Sequence, residues 1–94
     1  MSERLSQDDF NAAGLGGWRV EDDTAIAELG CSSFTAAGEL AAKVAAICDQ
    51  QNHHADLAIR YPGVLTVTTS SHDVGGLTDR DLRLAQAISD LHPG

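Results

Sequence analysis

The sequence predicts an α+β two-layer sandwich, in which three helices cover one face of a four-stranded antiparallel sheet. Apolar residues recur at helical or at alternating spacing, and the segments follow one another in the order α-β-β-α-β-β-α. Turn-forming residues separate the two strands of each β-β unit, as antiparallel hairpins require. Because 94 residues suffice for one modest core, we expect residues 1–94 to form a single domain.

Three segments are predicted helices from their caps or their apolar spacing. The first begins after Ser6, a suitable N-cap followed by acidic residues, and ends at a glycine-rich stretch. The second covers residues 33–51 and carries an apolar stripe formed by Phe34, Ala37, Leu40, Ala41, Val44, Ile47 and Cys48. The third begins at Thr78, has Asp81 at the N3 position of a capping box, and ends at Pro93-Gly94.

Four segments are predicted strands, paired into two hairpins. The first hairpin consists of strands near residues 18–21 and 25–31. The second pairs residues 57–61 with residues 64–70 around the turn Pro62-Gly63. One face of its first strand is predicted to be apolar, because the alternate residues there are Leu57, Ile59 and Tyr61.

The charge balance argues against nucleic acid as a partner. Six Lys and Arg stand against fourteen Asp and Glu, a net charge of −8, whereas phosphates need a basic surface. No apolar run approaches the roughly 18 residues of a membrane span, and the polar run after Met1 does not resemble a signal peptide. Cys31 and Cys48 lack metal or redox spacing, so we expect free thiols in a reducing cytoplasm.

Three of the four histidines are predicted to meet at one end of the sheet. His53 and His54 precede the third strand, and His72 follows the fourth. Because these two strands form a hairpin, its open end brings residues 53–54 close to residues 71–72. Imidazole both donates and accepts protons near neutral pH. The residues alone leave three interpretations open: acid/base chemistry without a metal, a metal site, or a polar turn.

Neither of the two nearby carboxylates decides between these interpretations. Asp81 is explained fully by capping of the last helix. Asp49 lies four residues before His53, where it is either solvated or close enough to influence the imidazoles. Ser71 is a poor candidate for a nucleophile, because a neighbour in sequence such as His72 rarely acts as its base.

Taken together, the residues resemble the motif of the pterin-4a-carbinolamine dehydratase family. The motif is an acid, three residues, two histidines, a tyrosine, a later histidine and an aspartate, here Asp49, His53, His54, Tyr61, His72 and Asp81. The stretches "VAAICDQQNHH" and "SHDVGGLTDRDLRLA" are similar to the family's helix end and glycine turn. The similarity extends from about Phe34 to Tyr61 and from Val64 to about Ile88, and Trp18 resembles the tryptophan of the family's first strand.

The resemblance implies dehydration of 4a-hydroxytetrahydrobiopterin, a pterin-4a-carbinolamine, to quinonoid dihydrobiopterin plus water in tetrahydrobiopterin recycling. It implies histidine acid/base catalysis with no metal and no cofactor, in a homodimer or a tetramer. The implied catalytic residues are His53, His54 and His72. The implied substrate-binding residues are Asp49, Ser71 and Asp81.

A second class of function stays open beside the enzyme. Domains similar to these dehydratases also act as catalytically weak or inactive binding modules, in protein assembly or as transcriptional dimerisation cofactors. Ala55 replaces the proline that usually follows the histidine pair, and small residues fill the second strand. These departures favour a binding module, whereas the complete histidine set favours the enzyme.

Overall fold

The fold, taken from a computed structural model, is described for residues 4–92. The helices are α1 (Gln7–Ala12), α2 (Phe34–Gln51) and α3 (Asp79–Leu91). The strands are β1 (Trp18–Glu21), β2 (Thr24–Gly30), β3 (Asp56–Arg60) and β4 (Val64–Thr69). They form one antiparallel sheet in the order β1-β2-β4-β3, so the predicted α+β fold and element order are confirmed. The predicted stop of the last helix at Pro93-Gly94 lies outside the described residues.

Local capping explains where each helix begins. Ser6 and Thr78 head capping boxes at α1 and α3, and Ser33 accepts a backbone N–H at the start of α2. At its other end α2 stops at Asn52, whose left-handed φ of 52° turns the chain toward His53. The first histidine of the pair therefore leaves the helix at a defined angle.

The core lies between the helices and one face of the sheet. Its larger cluster combines residues of α2, β4 and α3, namely Leu40, Val44, Cys48, Leu65, Val67, Leu84 and Ile88. A second cluster joins α1 to the sheet through Phe10, Ala25, Leu77 and Ala85. The alternating strand residues Ala25, Ala27, Leu65 and Val67 are all fully buried, so the inner face of the sheet is continuous across β2 and β4.

Three of the positions that spacing placed on apolar faces, Phe34, Ile59 and Tyr61, are exposed, which corrects the sequence analysis. Phe34 is 52% exposed because it is the first residue of α2, one turn or more before the residues through which α2 contacts the core cluster. Tyr61 is 87% exposed because the β3–β4 pairing ends at Arg60, which places Tyr61 in the turn. Helical or alternating spacing assigns a face only within an element, and Phe34 and Tyr61 lie where their element has just begun or has ended. Ile59 lies within β3, which is an edge strand of the sheet.

The strand register places two loops beside the start of α3. Asp56 at the start of β3 pairs with Thr68 near the end of β4. His53 lies three residues before this pair and Ser71 three residues after it. The open end of the hairpin and the first turn of α3 therefore meet at one corner of the molecule.

Candidate active site

The carboxylate of Asp81 is the centre of a buried hydrogen-bond network at this corner. Its Oδ1 accepts from Thr69 Oγ1 at 2.6 Å and lies 2.7 Å from His53 Nε2. Its Oδ2 accepts from Ser71 Oγ at 2.7 Å and from the backbone N–H of Thr78 at 3.0 Å. The residue is inaccessible to solvent. Four donors around one carboxyl group are what an ionised acid needs, because a carboxylate only accepts hydrogen bonds.

The hydroxyl protons of this network have one consistent arrangement. Ser71 has a single O–H, which it donates to Asp81, so the 2.8 Å bond between Ser71 Oγ and Thr78 Oγ1 is donated by Thr78. Thr78 Oγ1 accepts in turn from the backbone N–H and the Nε–H of Arg80, at 3.2 and 3.3 Å. These bonds join the segment after β4 to the first turn of α3.

His53 enters the network through one ring nitrogen. Its backbone N–H donates to the Cys48 carbonyl at 3.1 Å, which fixes the residue to the last turn of α2. Because the Asp81 carboxylate accepts, Nε2 of His53 carries the proton of the 2.7 Å bond. Within residues 4–92, Nδ1 has no hydrogen-bond partner.

His54 points away from the network and pairs with the other predicted carboxylate. Its Nε2 lies 2.8 Å from Asp49 Oδ1, and both side chains are largely exposed. The described residues thus contain two histidine–aspartate pairs with nearly equal N–O distances, one buried and one at the surface. The structure does not bring Asp49 into contact with His53.

His72 lies in an exposed turn beside the network. Its neighbour Ser71 is buried and bonded to Asp81, whereas His72 itself is exposed. Within residues 4–92 its imidazole makes no hydrogen bond, so both ring nitrogens face solvent. The next residue, Asp73, is bound by Arg80, whose Nη2 lies 2.7 and 3.0 Å from the two carboxylate oxygens.

The guanidinium of Arg80 also sets the charge state of this turn. Its hydrogen bond holds the pKa of Asp73 below the usual value, against a smaller opposing effect of burial. Asp73 is therefore an anion at neutral pH, paired with the guanidinium of Arg80.

Sequence reasoning missed Thr69, Asp73 and Arg80. A signal for Thr69 was present, because it continues the inward-facing series Leu65 and Val67, and a polar residue on a buried face needs a partner. The pairing of Asp73 with Arg80 joins the turn after His72 to the first turn of α3, across six intervening residues, and no helical or strand spacing predicts such a contact.

The site is not a deep cavity. Cavities of about 450 and 350 Å³ lie at the opposite end of α3, and His53, His54 and His72 line neither of them. The histidine that does line both, His92, is bonded to the Gly30 carbonyl at 3.1 Å. We assign the site to the network around Asp81, because it contains several groups that can transfer protons.

The rest of the described chain offers neither a metal centre nor a membrane span. Among residues 4–92, no three His, Cys, Asp or Glu side chains are grouped so that they could hold a metal ion. No helix in the same range combines the length and the apolar character that crossing a bilayer requires.

Comparison with known proteins points to one family. Residues 3–91 match the family model described as pterin 4 alpha carbinolamine dehydratase. A protein of Metallosphaera sedula is 36% identical over 90 residues, which cover 94% of this chain and 93% of that protein. A protein of Thermosynechococcus vestitus is 37% identical and covers 97% of both chains. Each of the two is named "Putative pterin-4-alpha-carbinolamine dehydratase".

A solved structure from Brucella melitensis, described as a transcriptional coactivator/pterin dehydratase, has the same fold. It superimposes with a TM-score of 0.85 over 96% of this chain and 99% of its own. At 22% identity this likeness supports the fold alone.

Proposed function

Because the chain belongs to the pterin 4 alpha carbinolamine dehydratase family, we propose that it dehydrates 4a-hydroxytetrahydrobiopterin to quinonoid dihydrobiopterin and water, in tetrahydrobiopterin recycling. One observation carries the proposal: the buried 2.7 Å bond from His53 to Asp81, in a network that extends through Ser71 to the loop of His72. A polar turn has no need of a histidine held by a solvent-inaccessible carboxylate.

The reaction moves protons and expels one water molecule. One imidazolium protonates the 4a-hydroxyl, the C–O bond breaks with its electron pair on oxygen, and water leaves. A second, neutral imidazole takes a proton from a ring nitrogen, so the protein ends with as many protons as it had at the start. No electron is transferred, and the proposal includes neither a metal nor a cofactor.

We propose that His53 exchanges a proton with the pterin through one atom. Asp81 holds the proton of Nε2 and orients the ring, in the way that a buried aspartate holds a catalytic histidine. Nδ1 therefore exchanges the proton with the pterin. His72, whose ring is exposed, is the second proton-transfer group, and His54 adds a third imidazole at the surface.

The three predicted substrate-binding residues have different surroundings, which favour different roles. The oxygens of Asp81 and Ser71 are buried and bonded within the protein, so we propose that they orient His53 and the His72 loop. Asp49 is exposed and bonded to His54, where it can reach a bound pterin directly. We propose a cytoplasmic location, which the free thiols of Cys31 and Cys48 favour.

Stopped-flow absorbance tests the proposed reaction. Purified protein should accelerate the disappearance of the 4a-carbinolamine over the uncatalysed rate, and treatment with EDTA should leave this acceleration unchanged, because protons alone are transferred. If a folded sample produces no acceleration, the dehydratase proposal is wrong and the second candidate stands.

That second candidate is a binding module without strong catalysis. It is favoured by the exposed apolar side chains Phe34, Ile59 and Tyr61, which a protein partner could cover. The Brucella melitensis protein of the same fold is described as both coactivator and dehydratase, so the two candidates do not exclude one another.

The proposal includes a homodimer formed through strand β3, an edge of the sheet. Two copies of β3 that pair antiparallel around Ala58 would place Asp56 opposite Arg60 of the partner subunit, and Ile59 opposite the partner's Leu57. Within residues 4–92, the side chains of Asp56 and Arg60 make no hydrogen bond and no ion pair. At the opposite edge, Arg19 is already bonded to Glu21 and Glu28, which favours β3 for self-association.

Charge reversal tests this dimer by sedimentation velocity. Wild-type protein should sediment as a dimer at micromolar concentration, and Arg60→Glu should shift it toward the monomer by placing like charges across the strand pair. The double variant Asp56→Arg/Arg60→Glu should sediment as the wild type does, because the exchange restores opposite charges. A monomeric wild type, or a double variant no better than Arg60→Glu, contradicts the proposed pairing.

A further inference from the structure

Arg80, in the first turn of α3, contacts two parts of the loop between β4 and α3. Its Nη2 bridges both oxygens of Asp73, at 2.7 and 3.0 Å, and its Nε donates to Thr78 Oγ1 at 3.3 Å. Asp73 directly follows His72, whereas Thr78 belongs to the network that holds His53. One side chain therefore connects the positions of the two main proton-transfer histidines.

The loop of His72 has a firm base and an exposed tip. At the base, Ser71 and Gly76 exchange backbone bonds of 2.7 and 3.3 Å. Inside the turn, the N–H groups of Val74 and Gly75 donate to the carbonyls of Ser71 and His72, and Gly75 adopts a left-handed φ of 65°. The bond from Arg80 to Asp73 ties the exposed tip back to α3.

Helix formation does not explain an arginine at position 80. Arg80 is the second residue of α3, where the helix dipole favours anions and disfavours cations. Asp79 and Asp81, on either side of it, follow that preference. The charge at position 80 therefore acts against the helix, and its contact with Asp73 gives it a different role.

We propose that Arg80 is a positioning residue, which acts through Asp73 to hold the imidazole of His72 in place relative to His53. The inference rests on the proposed dehydratase function. The same guanidinium lies at the surface, where it could instead contact the pterin, so the experiment separates positioning from direct binding.

Kinetics of matched arginine variants give the first readout. Arg80→Gln should lower kcat by about 10-fold or more with little change in KM, because misplacing a catalytic group by a fraction of an ångström is costly. Arg80→Lys, which keeps the charge without the planar donor group, should recover part of this loss. Arg83→Gln removes the exposed pair with Asp79 one turn later and should leave kcat unchanged. A rise in KM alone would identify a substrate contact and overturn the proposal.

A double-mutant cycle tests whether Arg80 acts through Asp73. Asp73→Asn should reduce kcat as Arg80→Gln does, and the double variant should be no slower than the slower single variant, because both changes break one contact. If the two losses of kcat multiply in the double variant, Arg80 and Asp73 act independently and the proposal is overturned.

Amide hydrogen exchange supplies a readout that requires no enzyme activity. The N–H groups of Val74, Gly75 and Gly76 should exchange faster in Arg80→Gln and in Asp73→Asn, and at the wild-type rate in Arg83→Gln. If the wild type proves inactive, the proposed function fails. Amide hydrogen exchange then still decides whether the contact between Arg80 and Asp73 holds the loop of His72 in place. If these N–H groups exchange in Arg80→Gln at the wild-type rate, Arg80 does not position the loop and the proposal is overturned.

Discussion

His53→Ala should lower kcat for the dehydration by about 10²–10⁴-fold, the usual contribution of one positioned acid or base. The substitution removes Nδ1, the ring nitrogen proposed to exchange a proton with the pterin. Asp81 keeps three of its four donors, from Thr69, Ser71 and Thr78, so we expect the variant to fold. Stopped-flow absorbance of the carbinolamine measures the loss, with circular dichroism as the check on folding.

Two further measurements test whether the loss of kcat comes from the missing imidazole of His53. Added imidazole should restore part of the activity of His53→Ala, because it can occupy the vacated space and carry the missing proton. His92→Ala is the matched control: His92 bonds the Gly30 carbonyl at the far end of α3, and its loss should leave kcat unchanged. If His53→Ala retains the wild-type kcat, proton transfer occurs at another residue.

The architecture was predictable because its determinants are local. The capping boxes at Ser6 and Thr78 are readable as sequence, and both mark true helix starts. Strand alternation likewise predicted the second hairpin. The prediction was wrong at Phe34, Ile59 and Tyr61, because their exposure depends on what packs against the element, which is a tertiary property.

The candidate site was predictable in its residue types but not in its connections. The predicted pairing of β3 with β4 is present, and it places the loops of His53 and His72 at one corner. It did not distinguish the two carboxylates: Asp81 looked like a helix cap and Asp49 like the acid nearer the histidines, yet Asp81 is the one that bonds His53. A capping aspartate has a second oxygen available, and only the packing of α3 against β4 shows which groups reach it.

Asp81→Ala should be the most destabilising substitution at the site, lowering the free energy of unfolding by about 3–5 kcal/mol. The change leaves buried donors from His53, Thr69, Ser71 and Thr78 without their acceptor, and each such group loses its compensation for desolvation. Asp81→Asn keeps the shape and one acceptor oxygen, so we expect a smaller loss of about 1–3 kcal/mol. Urea denaturation followed by circular dichroism, at one fixed protein concentration, measures both.

Asp49→Ala separates burial from pairing as the cause of this effect. Asp49 also bonds a histidine, at 2.8 Å against 2.7 Å for Asp81, but both members of its pair are largely exposed. Water replaces the lost acceptor at the surface, so the free energy of unfolding should change by no more than about 0.5 kcal/mol. If Asp49→Ala proved as costly as Asp81→Ala, the pairing itself would be responsible. If both substitutions were mild, the network around Asp81 would hold His53 in position without stabilising the fold.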